Sequence, residues 1–244
     1  MDVLAETTAW LGDPAHWSGT DGIPSRIVQH VQLSGLALLA GLALALPIGV
    51  LIGHTGRGGQ LAIGAANIGR AIPSFAILVM VLPLVLGLGL GLGFWPTIVA
   101  LVVLTIPPIL INTYTGLRGV DREMIEAARG MGMREYQVAL SVELPNALPI
   151  IIAGTRVAAV QVVATASLGA VVASGGLGRY IIDGFARQDD GRIIVGALLV
   201  AVLAIATDQL FGLLERRGVS PGIRGRRPQR PAQPNPELTD APRG

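Results

Sequence analysis

Between Ala71 and Leu117 the sequence carries no charged residue. A helix rises about 1.5 Å per residue, and about 20 residues cross a hydrocarbon layer of roughly 30 Å. The run is therefore too long for one crossing. It divides at Gly87-Leu-Gly-Leu-Gly-Leu-Gly93, which is followed by Phe94, Trp95 and Pro96. Two spans on either side of this turn are predicted, with the aromatic pair at headgroup level. Further apolar runs predict a first span over 29–53, a fourth over about 148–173 and a fifth over about 193–214. The expected fold is all-α, a polytopic membrane protein with five transmembrane helices. Composition agrees, since 51% of residues are hydrophobic and only 14% charged, against roughly 25% charged in soluble domains.

The same composition excludes several chemistries. All 18 basic residues are arginine, so a Walker A loop and lysine Schiff-base chemistry are ruled out. Cysteine is absent, which removes disulfides, thiolate metal sites and cysteine nucleophiles. His16, His30 and His54 are scattered without ligand spacing, so no metal site is expected. A net charge of only +2, with no basic helix interleaved with aromatics, argues against nucleic acid as a partner.

Arginine placement sets the expected orientation. With the amino terminus outside, thirteen arginines fall on the inner side, including Arg118, Arg122, Arg129, Arg134 and the seven from Arg216 to Arg243. Only Arg26, Arg179, Arg187 and Arg192 fall outside, and Arg156 lies within a span. Residues 1–28 are acidic and lack the pattern of a signal peptide, so they are expected to be an external tail. Residues 29–217 form the membrane domain. Residues 218–244, rich in proline and arginine, are expected to be a disordered cytoplasmic tail held near anionic lipid.

The inner loop 118–146 is patterned beyond what a connector needs. Asp121 is placed to cap a short helix with Glu123 in its first turn. Gly130 and Gly132 then allow a sharp turn. A second short helix is expected from Arg134 to about Glu143, and Pro145 is expected to redirect the chain into the fourth span.

Glu126-Ala127-Ala128, then Gly132, Val142 and Leu144-Pro145, at this spacing, resembles the EAA loop of bacterial ABC-importer permeases, with valine where isoleucine is usual. Ile72-Pro-Ser-Phe, Ile106-Pro-Pro, Asn112-Thr-Tyr-Thr-Gly-Leu117, Glu143-Leu-Pro-Asn-Ala-Leu-Pro149 and Gly175-Gly-Leu-Gly178 are similar to the osmoprotectant branch of that family. The resemblance implies a permease subunit in the bacterial cytoplasmic membrane, moving glycine betaine, choline, carnitine or a similar solute by alternating access. It implies separate ATPase subunits as partners, with ATP and magnesium bound there and no cofactor in this chain. It also implies a second permease, itself or a paralogue, and an extracytoplasmic solute-binding protein. Glu126, Ala127, Ala128, Gly130, Gly132, Leu144 and Pro145 would then couple to the ATPase. The alternatives are a permease for another small solute, as in methionine-type systems, and an intramembrane lipid-modifying enzyme. The enzyme would need clustered histidines, acids or nucleophiles at one depth, and the sequence shows none.

Three further groups of residues stand out. The outer loop 174–192 holds Gly175, Gly176 and Gly178, a short amphipathic stretch, and Asp183, Asp189 and Asp190, and reads as an outer gate and docking surface or as a plain loop. Phe75, Asn112, Tyr114 and Thr165 are candidates to line a path, with hydrogen bonding between helices as the other reading for the polar ones. Arg156 and Asp208 lie at similar depths on sequential antiparallel spans and are expected to form a buried ion pair. The other reading has Arg156 snorkelling to the headgroups.

Overall fold

The computed structural model describes residues 3–218. In chain order it contains α1 (Val3–Gly12), a 3₁₀ turn (Pro14–Trp17), α2 (Ile23–Thr55), α3 (Gly59–Ala71), α4 (Ser74–Gly87) and α5 (Phe94–Arg118). There follow α6 (Arg122–Gly130), α7 (Glu135–Val138), a π-helical turn (Ala139–Glu143), α8 (Leu144–Thr165), a 3₁₀ stretch (Ala166–Val172), α9 (Gly178–Arg187) and α10 (Asp190–Gly218). Among the described residues no strand forms. Four helical stretches are long and apolar enough to cross a membrane: α2, α5, the continuous helix Glu135–Val172, and α10. The pair α3–α4, bent by 98°, makes a fifth.

Helices in lipid gain little from hiding apolar surface, so close packing and small residues hold them together. Helix α2 lies against α5 in this way. A Cβ on Gly49 would stand 2.7 Å from the Thr113 Cβ, and one on Gly53 would stand 2.9 Å from the Leu117 Cβ. Gly154 of α8 makes room for the side chain of Asn112 on α5. Two apolar clusters fill this three-helix centre, one around Leu101, Leu104 and Val162, the other around Ala45, Ile109 and Ala158.

Two expectations are corrected. The second span is not one helix beginning at Ala71. Residues preceding proline avoid helical geometry, and Ile72, before Pro73, is extended at φ −74° and ψ 125°. The chain therefore breaks there, and α3 approaches α4 from the side. Pro145 does not redirect the chain either. Proline lacks an N–H and crowds the preceding turn, and the π-turn absorbs this: the Leu144 N–H bonds to the Ala139 carbonyl, five residues back. The second helix of the 118–146 loop thus runs unbroken into the fourth span.

Residues 1–28, expected as an external tail, pack against the bundle from Val3 onward. Trp10 and Leu11 join Ile23, Leu177, Tyr180 and Val200 in an apolar cluster. Trp10 stacks on His16 at 3.7 Å and meets the Tyr180 ring edge-on at 5.2 Å. Two of its acids have local tasks: Asp13 caps the 3₁₀ turn, and Asp21 pairs with Arg26 at 2.6 Å. The fourth span also changes character, its α-helix ending at Thr165 and continuing as a 3₁₀ stretch to Val172. The tail 219–244 lies outside the described residues.

Candidate coupling hairpin and translocation path

At one end of the bundle, hereafter the hairpin end, α6 and α7 project beyond the spans. The Asp121 carboxylate accepts the Glu123 N–H at 3.0 Å, satisfying a free donor of the first turn of α6. At the other end of α6, Gly132 takes φ +83°, a conformation costly for any residue with a Cβ. This folds the chain back so that the Gly132 N–H reaches the Arg129 carbonyl at 2.9 Å and the Met133 N–H the Ala128 carbonyl at 3.2 Å. Gly130 does not share the turn; it is the last residue of α6.

Helix α7 is fixed to α6 by Arg129, whose Nε and Nη2 each lie 2.9 Å from a carboxylate oxygen of Glu135. That hydrogen-bonded carboxylate holds the Arg129 guanidinium above its ordinary pKa. Ala128 is buried, whereas Glu126, Ala127, Gly132 and Pro145 are exposed and Leu144 is half-buried. Met131 is 77% exposed at the turn between α6 and α7, and Tyr136 lines a groove against α2. Glu126, Arg118 and Arg122 line a cavity of about 260 Å³ between hairpin and bundle. The hairpin is thus internally braced, and around the exposed Met131 it presents Arg129, Arg134 and Glu135.

The four path candidates have separate surroundings. Asn112 donates to the Pro108 carbonyl at 2.7 Å and Thr165 to the Gln161 carbonyl at 2.6 Å, both within their own helices. The Tyr114 ring lies over Gly59, where a Cβ would collide with it. Phe75 is 48% exposed on α4.

At the opposite end, hereafter the amino-terminal end, a cavity of about 640 Å³ is lined by Arg26, Gln32, Leu92, Phe94, Ser174 and Arg179 among others. The glycines of the 174–178 loop bring it against α2. Gly176 sits at φ +87°, its N–H donating to Gln29 Oε1 at 3.0 Å, and a Cβ on Gly175 would strike that same oxygen. Gly178 packs on the Ser167 carbonyl. Asp183 is engaged within the chain, with Arg179 at 2.6 Å and Arg192 at 3.2 Å. Asp189 accepts the Arg192 N–H at 2.9 Å, and Asp190 is exposed. Tyr180 donates its hydroxyl to the Asp21 carbonyl at 2.7 Å, and burial raises its pKa.

Arg156 and Asp208 are in contact. Arg156 Nε and Nη2 bind the two carboxylate oxygens of Asp208 at 2.6 and 2.7 Å, and Nη1 lies 3.4 Å from Glu215. Gly212, between the two acids, leaves room for the guanidinium. The expectation of burial is corrected: the side chains of Arg156 and Asp208 remain 33% and 37% exposed on this chain, because the pair lies along the α8–α10 seam.

The residues missed from sequence are His30 and His54. His30 is fully buried, its Nε2 2.8 Å from the Val163 carbonyl and its Nδ1 accepting the Leu177 N–H at 3.2 Å. His54 binds Glu143 and Glu135. These partners are far away in sequence, so no local spacing announced them.

Residues 45–218 match the family described as binding-protein-dependent transport system inner membrane component. The carnitine transport permease protein OpuCB of Listeria monocytogenes is 38% identical, over 80% of this chain and 88% of that protein. The glycine betaine/carnitine/choline transport system permease protein OpuCB of Bacillus subtilis is 37% identical, over 81% and 88%. Among solved structures, an inward-facing form of the MetNI methionine ABC transporter aligns with TM-score 0.65 and 27% identity, over 80% of this chain and 93% of that one.

Proposed function

This chain belongs to the family of binding-protein-dependent transport system inner membrane components, and from that premise we propose that it forms the membrane path for a compatible solute such as glycine betaine, carnitine or choline. It is a multi-pass permease subunit of an ABC importer. The observation that carries the mechanism is the braced hairpin α6–α7, which continues without a break into the spanning helix α8. In this reading the hairpin faces the cytoplasm and its tip, with Met131, sits on an ATPase subunit that binds ATP and magnesium. Closure of two ATPases draws two hairpins together, one from this chain and one from a second permease. The spans then open toward a binding protein docked at the amino-terminal end, where Asp190 and the cavity beside Arg26 and Arg179 lie. Aromatic side chains, the favoured cages for quaternary ammonium groups, are scarce at 4%. Tight recognition therefore belongs to the binding protein, and this chain lets the solute pass.

The test is uptake into vesicles holding this chain, its ATPase and its binding protein. Labelled glycine betaine, carnitine or choline should accumulate with ATP. Gly132→Val, which forces a Cβ into left-handed backbone, and Glu126→Ala should each lower solute-stimulated ATP hydrolysis by roughly tenfold, the equivalent of ~1.4 kcal/mol, with solute capture by the binding protein unchanged. Wild-type stimulation in Gly132→Val would overturn the coupling assignment. The similarity to a methionine transporter supports a second solute reading, and uptake of methionine alone would select it.

A further inference from the structure

The last turn of α2 carries His54, and this ring joins three parts of the hairpin end. Its Nδ1–H donates to Oε2 of Glu143 at 2.7 Å, and its Nε2 lies 3.3 Å from Oε2 of Glu135. Glu135 is in turn gripped by Arg129. A chain of polar contacts therefore runs from α6 through α7 to α2 and ends on the π-turn that opens α8. Glu143 is 4% exposed. A carboxylate so buried costs several kcal/mol unless paired, so the contact with His54 fixes where the π-turn sits. Arg118, Arg122 and Glu126 border the same space.

The surroundings make this tether specific. The hairpin is already joined to α8 by backbone. Toward α2 it faces a groove of about 880 Å³ lined by Leu46, Leu51, Tyr136 and Leu140, so packing alone holds it loosely there. Helix α2 itself is seated firmly on α5 at Gly49 and Gly53. At its far end, Gln29 and His30 hold the N–H groups of Gly176 and Leu177. One helix thus reaches from the hairpin to the loop at the opposite end, and both ends are clasped by side chains.

We propose that His54 is a positioning residue for coupling: through Glu143 and Glu135 it fastens the hairpin to α2, so that hairpin movement is delivered to α2 and the 174–178 loop as well as to α8. This rests on the coupling role of the hairpin proposed above.

The experiment uses the complete transporter in vesicles and reads solute moved per ATP hydrolysed. His54→Ala should lower the amount of assembled transporter, because Glu143 loses its partner. Per assembled transporter, ATP hydrolysis should stay near wild type while solute moved per ATP falls at least about fivefold, the low end of coupling between sites. His54→Asn keeps an N–H where Nδ1 stands and should retain most of the ratio. His54→Gln keeps one nearer Nε2 and should not. Wild-type solute per ATP in His54→Ala overturns the proposal. If that variant fails to assemble, the other two decide, and equal ratios in Asn and Gln overturn it as well. Gly132→Val separates this proposal from its foundation. Full coupling in that variant removes the hairpin reading itself, whereas lost coupling there with intact coupling in His54→Ala removes only the role of His54.

Discussion

Thr113 is fully buried on α5 opposite Gly49, and its hydroxyl has no hydrogen-bond partner among the described residues. Most threonines in these helices donate to the carbonyl a turn earlier, as Thr155 does to Ile151 at 2.9 Å. Replacing an unpartnered buried hydroxyl by a methyl of the same shape removes a desolvation cost. Thr113→Val should therefore raise stability by on the order of 1 kcal/mol, read as a higher unfolding midpoint in detergent. A lower midpoint would show that the hydroxyl serves a partner outside this chain. At this scale the sequence was informative where chemistry is local. Asp121 as a cap and Gly132 as the turn follow from residue type and spacing alone. Glu143, 89 residues from His54, has no such signature, and an acid beside a leucine and a proline reads as loop until the fold brings the imidazole to it.

Elements were legible to the extent that charge marks their limits. Helices α2, α5 and α10 coincide with apolar runs because no break interrupts them. Helix α3 was hidden because Arg70 and a glycine-rich stretch preceding it look like a connector, and the π-turn because a single extra residue in a helix leaves no pattern. The seam of α8 and α10 was legible from depth alone. There, Arg156 is held by Asp208 and touches Glu215, an acid that depth did not single out. Arg156→Ala leaves two carboxylates without their cation, and Asp208→Ala leaves the guanidinium to Glu215 alone. Each should reduce folded protein in the membrane, the arginine variant more. The double variant should recover part of the loss, since it leaves one unpaired carboxylate, Glu215, where the arginine variant leaves two. Strictly additive losses in that cycle would show that the contact contributes nothing. Expression and thermal unfolding of the four proteins measure it.

For the whole molecule, the break at Ile72-Pro73 sets a length. Helix α4 has 14 residues, so at the helical rise it covers only about 21 Å. Beyond Gly87 the backbone turns through Gly89, Gly91 and Gly93, all at positive φ. Irregular backbone facing lipid does not sit within the hydrocarbon region, so the apolar layer must end near Gly87. Val79, Met80 and Leu84 are exposed on this face. Where lipid covers α4, a bilayer of roughly 30 Å has to thin beside it, at a cost of a fraction of a kcal/mol for each ångström of mismatch. Transport in short-chain phosphatidylcholine vesicles should then exceed that in long-chain vesicles at equal protein content. Rates independent of acyl length would mean that a second permease, rather than lipid, covers α4. A proline that ends one helix and starts another thereby makes the thickness of the surrounding membrane a variable on which uptake depends.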